Sequence, residues 1–120
     1  MNSNYQKHPK LIRAFLHSFD GIKHASRNEF AVRVELAVLA VALPVALLLG
    51  KTGFEKAILV FSVMLVLIVE LLNTAIEALV DRVSTEYHEL SKIAKDVGSS
   101  AVLMAIINAV MVWGLVVFWE

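Results

Sequence analysis

AILVFSVMLVLIVELLNTAIEALVDR, residues 57–82, decides the fold. Its first half, 57–69, carries no charge, and its second half carries Glu70, Asn73, Glu77 and Asp81 at i, i+3, i+7 and i+11. At about 100° per residue, Glu70, Glu77 and Asp81 fall within roughly 40° of one another on a helix, with Asn73 at the edge of the stripe. The stretch therefore reads as one long apolar helix with a single acidic face. Ionisable groups inside a membrane span are costly and face a protein interior or a wet cavity.

Composition agrees with a membrane protein. Hydrophobic residues make up 58% of the 120 residues and mean hydropathy is +0.72, above the usual share for soluble globular chains. The length allows one domain at most. Formal net charge is +0. There is no basic block with interleaved aromatics, so no nucleic-acid partner is expected. Cys is absent, which excludes disulfides and thiolate metal sites. The first 30 residues carry Lys7, Lys10, Arg13, Asp20, Lys23 and Arg27, with no uninterrupted apolar core for a cleaved signal peptide.

Working outward, three spans are expected. Residues 29–49 form the first, with Pro44 tolerated as a kink and Arg33 free to snorkel. GKTG at 50–53 is a tight turn. Residues 54–83 form the second span, whose last turns project beyond the hydrocarbon. Residues 84–95 read as a polar connection. Residues 96–119 form the third span, with Trp113 and Trp119 as aromatic anchors at its far end and Asn108 bonding between helices. Ahead of these, residues 10–27 place Leu11, Ile12, Phe15, Leu16, Phe19 and Ile22 on one helical face, with Lys10, Arg13, His17, Asp20 and His24 on the other. That pattern fits an interfacial amphipathic helix, bendable at Gly21, although an ordinary surface helix shows it too. The expected fold class is thus all-α: three transmembrane helices and an N-terminal interfacial helix in a single domain.

Lys/Arg placement orients the spans. Lys7, Lys10, Arg13, Lys23 and Arg27 precede the first span, and Arg82, Lys92 and Lys95 lie in or beside the second connection. Only Lys51 and Lys56 lie in the turn between. The N-terminus is expected in the cytoplasm and the C-terminus outside. Glu29, the Glu70–Glu77–Asp81 stripe and Lys95–Asp96 then meet at one membrane face. Glu70 is the deepest, about 16 Å along the helix from Asp81. Carboxylates beside a lysine suit Mg²⁺ and phosphate, because Mg²⁺ takes one or two carboxylates and completes its shell with phosphate oxygens and water. A desolvated Glu suits a general base. Taken singly, Glu77 and Asp81 also fit charges near a helix end, Asn73 a bond between helices, and His88 a solvated loop residue. No G-x-x-x-x-G-K-[ST] or kinase glycine loop is present.

ELLNTAIEALVDR at 70–82, EYHELSKIAKDVGSSAVL at 86–103 and NEFAVRVE at 28–35 closely resemble the small bacterial integral-membrane diacylglycerol kinases. The related undecaprenol kinases share the core motif, while the GSSAVL continuation leans toward diacylglycerol. The resemblance implies a homotrimer in the bacterial inner membrane, with cytoplasmic active sites formed between protomers. It implies γ-phosphoryl transfer from ATP, with Mg²⁺, to the primary hydroxyl of diacylglycerol, giving phosphatidic acid. By position, Glu70 matches the general base and Glu29 with Glu77 the metal ligands. Lys95 and Asp96 match a nucleotide-binding pair, Glu86, Tyr87 and His88 a loop near the nucleotide, and Asn73 a residue supporting the base. Lys10 and His17 take nucleotide positions where the family often has Arg and Tyr. Ser26 stands where an aromatic is common. Lipid contacts fall on Lys10, Phe19, Glu35, Glu70, Ser99 and Trp113.

Two readings from other classes compete. A small proton-coupled transporter would use Glu70 as its carrier site, but it needs access from both faces, and nothing charged lines the outer half. A non-catalytic helix bundle gives no reason for the acidic stripe.

Overall fold

A computed structural model describes residues 7–119. They form four helices: α1 (Lys10–Asn28), α2 (Phe30–Leu49), α3 (Gly53–Val83) and α4 (Glu89–Phe118). The last three are long and apolar enough to cross a membrane. With the composition, they make this a multi-pass membrane protein. The 31 residues of α3 extend about 46 Å at 1.5 Å per residue, against about 30 Å of hydrocarbon. Its acidic end therefore has length to reach the interface.

α3 is the middle of the molecule. It packs along α4 on one side and α2 on the other, while α1 lies against the start of α2 and the end of α3. The result is a slab of 52 × 42 × 20 Å. Buried contacts use small or branched residues: Ala25, Val32, Ala42, Ala46, Leu59, Ser62, Val66, Leu67 and Ala105. Small residues let helix backbones approach closely where lipid removes the hydrophobic drive to associate. Most large apolar side chains point outward, Phe61, Leu72, Leu103 and Val110 among them. A bilayer solvates such a surface; water does not.

Local chemistry fixes the element ends. The turn at 50–52 carries a capping box. Thr52 Oγ1 accepts from the Glu55 N–H at 3.1 Å, and Glu55 Oε2 accepts from the Thr52 N–H at 3.4 Å and the Lys51 N–H at 2.6 Å. A Cβ on Gly50 would stand 2.6 Å from Lys56 Cγ and 2.8 Å from its backbone N, so the chain can turn this tightly only without a side chain there. The Lys56 ammonium closes the end of α2 by donating to the Gly50 and Leu47 carbonyls at 2.7 and 3.0 Å. Thr52→Ala, read by thermal unfolding in detergent micelles, is expected to cost about 1 kcal/mol. The effect should stay local, because the turn lies at the far end of α3 from the acidic stripe.

α4 begins earlier than the hydropathy suggests. Residues 84–95 are not all connection: the helix starts at Glu89, and only 84–88 link it to α3. His88 is the N-cap, its Nδ1 accepting from the Leu90 N–H at 3.1 Å. α2 runs unbroken across Pro44 and α1 across Gly21. Asn108, expected to bond between helices, is exposed on α4 and forms no side-chain hydrogen bond among the described residues.

Candidate active site at the acidic end of the bundle

Glu29 sits at the elbow between α1 and α2. Its extended backbone (φ −116, ψ 113) ends one helix and starts the next, with its N–H donating to the Ala25 carbonyl at 2.8 Å. The elbow is clasped by Arg33. Its Nη1 donates to the Ser26 and Arg27 carbonyls at 3.1 and 3.0 Å, and its guanidinium stands 5.8 Å from the centre of the Phe30 ring. Arg33 therefore caps the orphan carbonyls of α1 rather than reaching for headgroups. This contact fixes the direction in which Glu29 leaves the backbone.

Glu29 and Glu77 line one cavity of about 560 Å³ between α1 and α3, together with Ser18, His24, Thr74 and Asp81. Glu70 lies beneath, 7% exposed. Its carboxylate makes no hydrogen bond among the described residues. Glu29 and Glu77 are near enough for their charges to act on it, and Glu70 acts in turn on Glu35. Asn73, also 7% exposed and expected to support Glu70, instead donates from Nδ2 to Glu77 Oε1 at 3.3 Å.

A second cavity of about 460 Å³ adjoins the first at Asp81. Glu86, Tyr87, His88, Ser91, Lys95 and Asp96 line it. Lys95 Nζ donates to Asp81 Oδ1 at 2.7 Å, tying α4 to α3. Lys95 precedes the apolar run of α4. The Asp81 hydrogen bond raises its pKa, outweighing desolvation, so the ammonium stays charged at neutral pH. Asp96 pairs with Lys92 one turn earlier at 2.5 Å. Lys95 and Asp96 thus face one cavity while holding different partners.

Glu35 lies on the other side of Glu70. It opens on a cleft of about 460 Å³ between α2 and α4, floored by Val63 and Val66 of α3. Its Oε2 is enclosed and has no hydrogen-bond partner. The cleft continues toward the opposite end through Val38 and Val110 to Trp113. Trp113 is half-buried, its Nε1 donating to the Leu59 carbonyl at 3.2 Å, whereas Trp119 is exposed. Only Trp119 has the exposure expected of an interfacial anchor. Lys10, His17 and Phe19 are exposed on α1 and Ser99 on α4, and none of them lines these cavities.

Of the three carboxylates lining the first cavity, Asp81 is paired with Lys95, and the other two, Glu29 and Glu77, fit Mg²⁺. Among the described residues no group of three or more His, Asp or Glu is placed to hold a metal alone. Mg²⁺ needs no such group when phosphate oxygens and water complete its shell. Sequence reading missed the Arg33 clasp, the His88 cap and the Asp81–Lys95 tie. The cap had a signal, since a helix former and an acidic residue follow His88 directly.

The sequence model of a family described as "Prokaryotic diacylglycerol kinase" matches residues 16–117. The diacylglycerol kinase of Escherichia coli (strain K12) is 45% identical over 120 residues, covering 100% of this chain and 98% of that protein. That of Haemophilus influenzae is 42% identical over 109 residues, 91% of this chain and 92% of the other. That of Pseudomonas aeruginosa is 43% identical over 107 residues, 89% and 87%.

Proposed function

The chain belongs to the prokaryotic diacylglycerol kinase family, and from that premise we propose how its residues divide the work of phosphoryl transfer. The protein is a diacylglycerol kinase: it moves a phosphoryl group from ATP to diacylglycerol. The observation that carries the assignment of roles is the order Glu35, Glu70, Glu77 and Glu29, from an apolar cleft to a cavity that gathers the carboxylates of Glu29, Glu77 and Asp81.

Glu70 is the general base. It accepts the proton of the primary hydroxyl as that oxygen bonds to the γ-phosphorus of ATP and the bond to ADP breaks. Phosphatidic acid leaves with the new phosphate ester. Glu29 and Glu77 hold Mg²⁺, which when bound offsets charge on the phosphate oxygens. Lys95 adds a fixed positive charge beside the phosphates, and Glu86, Tyr87, His88 and Asp96 form the wall against the nucleotide. Asn73 orients Glu77. Glu35 flanks the glycerol head of the lipid on the side of Glu70 that faces the apolar cleft, and the acyl chains follow the cleft toward Trp113. Ser99 and Phe19 contact lipid from the outer surfaces of α4 and α1. Lys10 and His17 reach the nucleotide from α1, which lies in the interface with Leu11, Phe15 and Phe19 toward the lipid.

The assembly is a homotrimer in the bacterial inner membrane. Asn108, polar and exposed in the middle of an apolar helix, gains a hydrogen-bond partner if a second copy packs there. Lys/Arg placement supports a cytoplasmic acidic end and an external C-terminus.

Orientation gives the test. Protein is reconstituted in diacylglycerol vesicles with Mg²⁺ and ATP outside only. An impermeant amine reagent then reports which lysine faces out. Phosphatidic acid formation is expected to scale with the fraction modified at Lys92. Formation that scales with modification at Lys51 instead would overturn the placement of the site.

A further inference from the structure

Gly98 is buried in the first third of α4, against α3. A Cβ built on it would collide with Oδ1 of Asn73 and stand 3.3 Å from its Cγ. Asn73 is a side chain with two ends. Its Nδ2 donates to Glu77, while its Oδ1 is enclosed and has no hydrogen-bond partner. The oxygen therefore spends its hydrogen-bonding capacity on nothing stronger than a contact with the glycine backbone. Turning the amide over would free the oxygen from Gly98 but aim it at the Glu77 carboxylate, where two acceptors repel. Glycine weakens a helix interior relative to alanine, and here it leaves space that one particular side chain occupies.

We infer that Gly98 is a positioning residue for phosphoryl transfer: its missing side chain seats the Asn73 amide, which holds Glu77 in the cavity it shares with Glu29. The inference rests on the reading of Glu77 as a metal ligand and extends that site to α4. Glu77 and Asn73 share a helix and cannot fix their relative rotamers by backbone alone. The close approach of α4 supplies the missing constraint. A residue that acts through a ligand in this way typically changes metal affinity about 10- to 100-fold when it is lost.

The test uses purified protein in detergent micelles with a non-hydrolysable ATP analogue. Mn²⁺ binding is read by electron paramagnetic resonance and the Asn73 side-chain amide by NMR. Gly98→Ala is expected to shift the Asn73 amide resonance and to weaken Mn²⁺ binding about 10-fold. Asn73→Ala weakens binding similarly. The double variant Asn73→Ala/Gly98→Ala is no weaker than Asn73→Ala, because the oxygen that met the new Cβ is gone. An unmoved Asn73 resonance in Gly98→Ala overturns the proposal. So does a double variant whose loss is the product of the two single losses. If Gly98→Ala fails to fold, the double variant is expected to fold as Asn73→Ala does, and its failure would also overturn the proposal. A shifted resonance with Mn²⁺ binding unaltered in both Gly98→Ala and Glu77→Gln overturns the metal role of Glu77 instead.

Discussion

Glu70→Gln is expected to lower phosphatidic acid formation by about 10²- to 10⁴-fold, the usual contribution of a general base. The substitution is nearly isosteric, so packing around this 7% exposed side chain is preserved. Nucleotide and Mn²⁺ binding should survive, because Glu29, Glu77 and Lys95 are untouched. The stability of the protein separates this role from a structural one. Glu70 lies within reach of the charges of Glu29 and Glu77 and makes no hydrogen bond among the described residues. Replacing a buried carboxyl that no donor pairs with a neutral amide of the same shape relieves a cost. The variant should therefore unfold no more easily than the parent, in a thermal or denaturant titration, while its turnover collapses. A variant that kept full turnover would remove Glu70 as the base.

Glu77→Gln should act on the metal and much less on the maximal rate. Gln keeps the oxygen that accepts from Asn73 Nδ2, so the hydrogen bond survives and only the negative charge goes. The half-saturating Mg²⁺ concentration is expected to rise at least about 10-fold, with much of the turnover restored at high Mg²⁺. The Michaelis constant for diacylglycerol should hold steady, because Glu77 lines the cavity it shares with Glu29, whereas Glu35 lines the separate apolar cleft. An unchanged Mg²⁺ titration would take Glu77 out of the metal site.

The two variants differ because the acidic stripe is divided by depth, and that division was legible in the sequence. Spacing puts Glu70, Glu77 and Asp81 on one face, and charge placement brings Glu29 and Lys95 to the same end. The structure adds what spacing does not contain, the rotation of each helix about its own axis. That rotation gives Asp81 to Lys95 and leaves Asp96 to Lys92, although Lys95 and Asp96 are neighbours in the chain. It also turns Gly98 toward Asn73 and Trp113 toward the Leu59 carbonyl. Asn108 looked like a bond between helices for the same reason, since a polar residue in a span needs a partner, but it is exposed on α4 and faces away from the other helices.

Element ends were legible where they coincide with a change in polarity. The start of α4 was not, because hydropathy marks the edge of the membrane and a cap marks the end of a helix. Those two boundaries lie about two turns apart between Glu89 and Val97. The extra turns place Ser91, Lys92 and Lys95 along one wall of the cavity that adjoins Asp81. As a polar connection, 84–95 gives no reason for these groups to hold fixed positions. As a capped helix it does.

The central claim is that one acidic end joins a nucleotide site to a diacylglycerol site through Glu70. A competition between acceptors tests it most directly. Purified protein in mixed micelles receives γ-labelled ATP, Mg²⁺ and equal amounts of diacylglycerol and undecaprenol. Label is expected to appear in phosphatidic acid, to vanish when Mg²⁺ is chelated, and to vanish in Glu70→Gln. Label confined to undecaprenyl phosphate, or transfer to diacylglycerol that persists in Glu70→Gln, would contradict the account.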